Sequence, residues 1–264
     1  MIGRSLNEMF PSRESEPGEP LLDVEDLSGP VPDDVSFTLR RGEILGIAGL
    51  VGAGRSETVR SIFGLESADE GYIDLAGRGQ VHVRYLSPRR SLDLGLELMS
   101  ENRNREGLAL NMNVAENMTL SSLSSYATLG GWGLLNVWKE KRAVQDWIDE
   151  MNIQCRGPEQ QISTLSGGNQ QKVALSRLLE AGGDILLLDE PTRGIDVGTK
   201  VQIYDLMGDL AGQGKGIVFV SSYLPELLGV TDRLAVMHQG RMSDARPTEE
   251  WTEEDVMRFA TTGK

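Results

Sequence analysis

The chain has 264 residues, 39% of them apolar, and a net charge of −14; that suffices for a packed α/β core and excludes the overall basic surface that binds a nucleic-acid backbone. Its one cysteine, Cys155, excludes an intrachain disulfide and a cysteine metal cluster, and its two histidines, His82 and His238, lack ligand spacing. With no apolar run long enough to span a bilayer and no secretory signal pattern, the expectation is a soluble cytoplasmic domain whose membrane link runs through a partner.

Residues 1–20 include P-S-R-E-S-E-P-G-E-P, charged and proline-bearing, and read as a linker. Leu21 to Glu25 is a predicted strand. Val35 to Leu39 alternates apolar and polar residues, as a half-buried strand does, and Arg41 to Glu43 forms the turn after it. Ile44 to Ala48 is a short buried strand that runs into the glycine-rich stretch G49-L-V-G-A-G-R-S-E57, and Thr58 to Phe63 continues as a helix ended by Gly64. Strand, glycine loop and helix is the context in which G-x-x-x-x-G-K-[ST] cradles phosphates. Every position of that pattern fits except the lysine, replaced by Arg55. The dinucleotide pattern G-x-G-x-x-G is not met, because Gly52 and Gly54 are followed by Glu57.

The stretch from Asn113 to Gln161 reads as helical, opened by a capping box between Asn113 and Glu116. Val144, Trp147, Ile148 and Met151 recur at helical spacing as a core-facing stripe. The stretch L165-S-G-G-N-Q-Q-K172 then puts Ser-Gly-Gly just before a predicted helix from Gln170 to Leu179, an arrangement suited to anion binding. Ile185 to Leu188 and Ile217 to Val220 are unbroken apolar runs, expected of central parallel strands. A last helix follows Thr252 and ends at Gly263, with the acidic run from Glu249 to Asp255 at its solvated start.

The first of the apolar runs ends in Asp189-Glu190. A carboxylate at the end of a buried strand can hold Mg²⁺ opposite the serine of a phosphate loop, and a glutamate beside it can deprotonate an attacking water. Ser166 lies 110 residues after Ser56 and ahead of that strand.

The three motifs together resemble the ATP-binding domain of ABC transporters over nearly the whole chain from Leu21. S-G-G-N-Q-Q-K-V, P191-T-R-G-I-D-V197 and S221-S-Y-L-P-E-L-L-G229 resemble more narrowly the second, C-terminal ATP-binding half of the tandem subunits that energise bacterial monosaccharide importers, ribose-type above all. The resemblance implies an ABC-type P-loop NTPase fold of the α/β class. It would have a mixed sheet core, an antiparallel β region and a helical subdomain at about residues 113–178, with residues 1–20 a remnant of the interdomain linker and residues 21–264 the domain. It implies ATP and Mg²⁺ as cofactors. Gly49, Gly52, Gly54, Arg55, Ser56 and Glu57 would hold nucleotide, Ser56 and Asp189 the metal, and Glu190 would be the general base. Ser166, Gly167, Gly168 and Asn169 would act on the opposite site, and Glu101 and Asp196 would serve coupling. The implied partners are the N-terminal ATP-binding half, a membrane-embedded sugar permease facing residues 102–120, and, indirectly, a periplasmic or extracellular sugar-binding protein. The location would be peripheral, on the cytoplasmic face of the membrane.

Three positions depart from a fully active ABC domain. Arg55 replaces lysine, Glu101 stands where a glutamine senses Mg²⁺ and permease, and Ser222 stands where a histidine contacts the γ-phosphate. Arginine keeps the charge but is a planar fork rather than a compact ammonium. Loss of one preorganised donor costs about 3–4 kcal/mol, roughly a hundred- to a thousandfold in rate, so the loop is expected to bind nucleotide and hydrolyse it poorly while its signature completes the other site. Two alternatives stand beside this: a nucleotide-free structural pseudo-ATPase, and a non-transport ABC ATPase of DNA repair or the ribosome. Tyr72 and Tyr85 are weak candidates for stacking on adenine; Leu27 to Val31 occupies the usual neighbourhood of that contact instead.

Overall fold

The computed structural model describes residue 10 and residues 17–102, 106–128 and 133–264. Most of the expected linker at 1–20, and residues 103–105 of the segment expected to face a permease, thus lie outside the described residues. Two compact units result: Met1–Leu98 with Asp184–Pro191 and Val197–Lys264, and Met99–Gly183 with Thr192–Asp196. Chain order begins with β1 (Pro20–Ser28), β2 (Val35–Arg40), β3 (Ile44–Gly49), α1 (Arg55–Ile62), β4 (Glu70–Leu75), β5 (Gly79–His82), α2 (Pro88–Asp93) and β6 (Leu96–Met99). The second unit supplies α3 (Val114–Thr119), α4 (Val137–Glu150) and α5 (Gly167–Ala181). The chain then continues through β7 (Ile185–Asp189), α6 (Val197–Gly212), β8 (Gly216–Val220), α7 (Leu224–Val230), β9 (Arg233–His238), β10 (Arg241–Met242), β11 (Arg246–Pro247) and α8 (Glu253–Thr262).

In the first unit, an antiparallel sheet runs in the order β2-β1-β4-β5. The alternation read in β2 is its burial pattern: Val35, Phe37 and Leu39 are buried while Ser36 is exposed. A second, mixed sheet has the order β10-β9-β3-β8-β7-β6, with β11 also on β9. Its central strands β3, β8 and β7 are parallel, with Ile47 and Asp189 both opposite Val220. Every residue of β7 and β8 is buried, as unbroken apolar runs covered on both faces require. Leu22, Val24, Leu27 and Phe37 share one apolar core with Leu45, Ile47, Leu187, Val218 and Val59. Each such side chain contributes about 1.5–3 kcal/mol on leaving water.

One charge is buried in this unit far from the phosphate loop. Glu43, with 0% exposure, accepts the Arg40 N–H at 2.6 Å and the Arg233 guanidinium at 3.1 Å. Arg233 also donates to the carbonyls of Thr38 and Ala245, which ties the end of β2 to β9.

In the second unit, α3 opens with the reciprocal Asn113–Glu116 capping box that the sequence suggested. The expected helical stretch is shorter than read: α3 covers only Val114–Thr119, and Asn113 instead bridges Gln161 in a strand-like contact. Along α4, Val144 and Ile148 are buried, whereas Trp147 is only half-buried and donates its indole N–H to Glu180 at 2.6 Å. Among the described residues no helix is long and apolar enough to cross a membrane.

Candidate nucleotide-binding site

Parallel order is what gathers the site. The adjacent strands β3, β8 and β7 end at one edge of the sheet, where open α/β sheets bind ligands. From β3 emerges the glycine loop, from β7 the pair Asp189-Glu190, and from β8 the loop Ser221-Ser222-Tyr223.

The glycine loop needs its glycines. Gly49, Gly52 and Gly54 have φ of +153°, +81° and +102°, values that side chains resist. A Cβ on Gly49 would lie 2.8 Å from the Met237 carbonyl oxygen, so the loop packs directly on β9. The helix α1 starts at Arg55, three residues earlier than the sequence suggested, because the loop closes straight into its first turn. Gly54 is its N-cap and offers no side chain to the helix N-terminus; that leaves the first-turn N–H groups disposed toward an anion. Glu57 sits in that same first turn. Val31, in the neighbourhood considered for the base, lies against Gly54.

Ser56 donates its hydroxyl to Asp189 at 3.1 Å. Asp189 is 1% exposed, and burial pushes its carboxyl up to about 6 against the opposing Ser56 hydrogen bond, with Glu190 adding to the rise. A hydroxyl and a carboxylate oxygen this close suit a hard cation such as Mg²⁺. Among the described residues no group of three or more His, Cys, Asp or Glu could hold a metal ion. Phosphate oxygens and water would therefore have to complete the shell, which fits a magnesium-nucleotide site.

Glu190 is held in the left-handed region at φ +51°, which non-glycine residues seldom adopt. Its own N–H donates to the Val220 carbonyl at 2.9 Å. Burial raises its pKa, while the hydroxyl and N–H of Ser222 and the charge of Arg55 oppose the rise. Arg55 is itself buried. One of its nitrogens donates to the Ser221 carbonyl, and the other lies 3.7 Å from a Glu190 oxygen. Sequence reasoning aimed this side chain at phosphate. The folded chain turns it under the loop onto Glu190, where desolvation lowers its pKa and the carboxylates opposite restore part of it.

Ser166, Gly167, Gly168 and Asn169 belong to the second unit. The helix α5 begins at Gly167 rather than Gln170, because Ser166 is its N-cap and accepts the Asn169 N–H. The Asn169 amide also donates to Ser166 Oγ at 2.9 Å and accepts the Gln154 N–H at 2.8 Å, so both side chains are fixed. Glu101 pairs with Arg193 in this unit, and Asp196 bears electrostatically on the buried Lys172 of α5. Tyr72 stacks edge-on against His82 at 4.9 Å and Tyr85 follows at 5.9 Å from the same ring, all at the β4–β5 side of the antiparallel sheet.

The ABC transporter family profile matches residues 32–193. The chain is 48% identical over 263 residues to "Putative ribose/galactose/methyl galactoside import ATP-binding protein 3" of Burkholderia cenocepacia, covering 99% of this chain and 50% of that one. It is 44% identical to "Ribose import ATP-binding protein RbsA" of Caldanaerobacter subterraneus subsp. tengcongensis, covering 100% of this chain and 52% of that one. The chain thus spans about half the length of the curated relatives it matches. Among solved structures, a nucleotide-free ATP-binding cassette from an ABC transporter superposes with a TM-score of 0.71 at 21% identity, over 91% of this chain and 94% of that one. A dimeric cassette in a post-hydrolysis state, bound to ADP and Pi, gives a TM-score of 0.73 at 20% identity, over 86% and 99%. The chain belongs to the ABC transporter family and has the P-loop nucleotide-binding fold of its ATP-binding cassettes.

Proposed function

We propose that this chain is the second ATP-binding half of a tandem subunit that helps drive import of a ribose- or galactose-like monosaccharide. Supporting this are the 44–48% identities to sugar-import ATP-binding proteins of which the chain spans only half. In this reading the subunit lies on the cytoplasmic face of the membrane, against a sugar permease served by an external sugar-binding protein. The N-terminal half of the same subunit completes its nucleotide sandwich.

The observation that carries the mechanism is the Arg55–Glu190 contact at 3.7 Å. When bound, Mg²⁺ would neutralise charge on the β- and γ-phosphates. Ser56 and Asp189 are the metal-side oxygens, and Gly49, Gly52, Gly54 and the first turn of α1 are the phosphate cradle. Glu190 is the group able to take a proton from water, yet it is already engaged by Ser222 and by Arg55. These contacts hold the carboxylate on the protein's own donors and offset part of the rise that burial causes in its pKa. With that carboxylate engaged by Arg55 and Ser222 rather than free for water, its own site binds nucleotide and turns it over slowly. Ser166, Gly167, Gly168 and Asn169 act on the partner's site, and Glu101 and Asp196 couple the sites to the permease and to each other.

Two assays test this. In the full subunit, Ser166→Arg is expected to abolish transport-coupled ATP turnover; survival of that turnover refutes the asymmetric assignment. For this chain alone, turnover with Mg²⁺ is expected to equal that of Glu190→Gln, and clear turnover lost in the variant would mean that Arg55 and Ser222 suffice. The same Arg55–Glu190 contact also favours a second reading, a nucleotide-free structural half. Equilibrium binding of Mg-ATP separates the two.

A further inference from the structure

A second buried carboxylate stands behind the site. Glu226, in the first turn of α7, is 1% exposed. Burying a carboxyl group is costly unless its oxygens are well paired. One of its oxygens accepts the Ser221 hydroxyl at 2.6 Å, the other accepts the Tyr204 hydroxyl, and Lys200 Nζ lies 3.8 Å away. Ser221 and Tyr204 are each 1% exposed, and the ring of Phe10 packs on Tyr204 at 5.6 Å. Tyr204 and Lys200 thus hold Glu226 from α6, Glu226 itself sits on α7, and Ser221 donates to it from the loop between β8 and α7.

The loop is the one that meets Arg55 and Glu190. Ser221 Oγ donates to Glu226 and accepts the Tyr223 N–H at 3.0 Å. Lys200 lies over the Tyr223 ring at 5.2 Å. The Ser221 hydroxyl is thus committed in both directions, and the Ser221 carbonyl receives Arg55. The next residue, Ser222, donates its hydroxyl and its N–H to Glu190. The segment has no regular hydrogen-bond ladder of its own, since β8 ends at Val220 and α7 begins at Leu224.

We propose that Glu226, braced by Tyr204, is a positioning residue of the nucleotide site, acting through Ser221 to set the loop that holds Arg55 and Glu190. The claim about the loop stands on geometry alone; its consequence for nucleotide rests on the function proposed above. Glu226→Gln keeps the volume but offers one acceptor oxygen and an NH₂ where two hydroxyls now donate, so one of them loses its partner.

Hydrogen exchange of the folded chain, read peptide by peptide, is the first arm. Glu226→Gln is expected to speed exchange of the Ser222 and Tyr223 amides by about tenfold, with β8 and α6 as protected as in the parent. Tyr204→Phe, which removes one donor only, is expected to give a smaller rise at the same amides. Unchanged loop exchange in either folded variant, or an equal rise throughout the unit, overturns the proposal. The second arm is Mg-ATP affinity, measured with a fluorescent ATP analogue. Glu226→Gln is expected to weaken it several-fold in the parent and not at all in Ser221→Ala, which already lacks the hydroxyl that links Glu226 to the loop. Equal losses in both backgrounds overturn the route through the loop. If the parent chain binds no Mg-ATP, the nucleotide assignment fails, and the exchange arm still decides the role of Glu226.

Discussion

Asp189 puts the trade between stability and chemistry into numbers. Its carboxyl is pushed up to about 6 by burial, against an ordinary value near 4. Two units correspond to about 3 kcal/mol of cost to the charged form. A carboxyl raised in the folded state binds its proton there more tightly than in the unfolded chain. The cost is therefore fully present above about pH 6 and fades as pH falls toward about 4. Asparagine has nearly the same volume, carries no charge and keeps an oxygen to accept the Ser56 hydroxyl. In EDTA at pH 7.5, Asp189→Asn is expected to be more stable than the parent by about 2 kcal/mol, raising Tm by about 4–8 °C. Urea unfolding repeated at intervals down to pH 4 is expected to show that gap closing. A variant no more stable at pH 7.5, or a gap that ignores pH, refutes the reasoning. The same substitution is expected to remove Mg²⁺-dependent nucleotide affinity, the usual relation between a strained site and its function.

Other perturbations test other parts of the argument. Arg55→Lys combined with Ser222→His restores two donors, and ATP turnover of the chain is expected to rise about a hundredfold or more; no gain would place the defect elsewhere. Glu43→Ala leaves Arg233 without its buried carboxylate and the Arg40 N–H without its acceptor. A loss of about 3–5 kcal/mol is expected in urea unfolding, and a loss below about 1 kcal/mol would refute that account. Gly240→Ala would drive a Cβ into the Val31 carbonyl oxygen at a φ of +87°. Strong destabilisation is expected in a thermal melt, and an unchanged Tm would show that the turn beside the phosphate loop can move.

The strands with a strong period were legible. Ile44 to Ala48, Ile185 to Leu188 and Ile217 to Val220 read as buried strands and are β3, β7 and β8 to within a residue or two. Caps were legible where a side chain does the capping, as at Asn113 and Thr252. Short elements were not: β5, β10 and β11 are too brief for periodicity to separate from turns, and sheet neighbours decide them; β4 is as long as β2, but a glycine at one of its buried positions and a tyrosine at an exposed one hide its alternation. Helix starts slid by three residues at α1 and α5, because a glycine loop that ends in a helix carries no polar cap to mark the boundary, and Ser166 marks its own only once Asn169 folds back on it.

The sequence by itself determined the family and the residue types at the phosphate loop, with Arg55 where its pattern has lysine. These are local facts, since each motif is a contiguous run whose spacing survives without coordinates. Only the tertiary structure decided where Arg55 points, and that Glu226 and Tyr204 stand behind Ser221. Both depend on pairs 22 to 166 residues apart in the chain, which the register of β3, β8 and β7 brings within reach and which no local pattern encodes. A long, charged side chain can reach several partners; burial against the Ser221 carbonyl and Glu190 selects one.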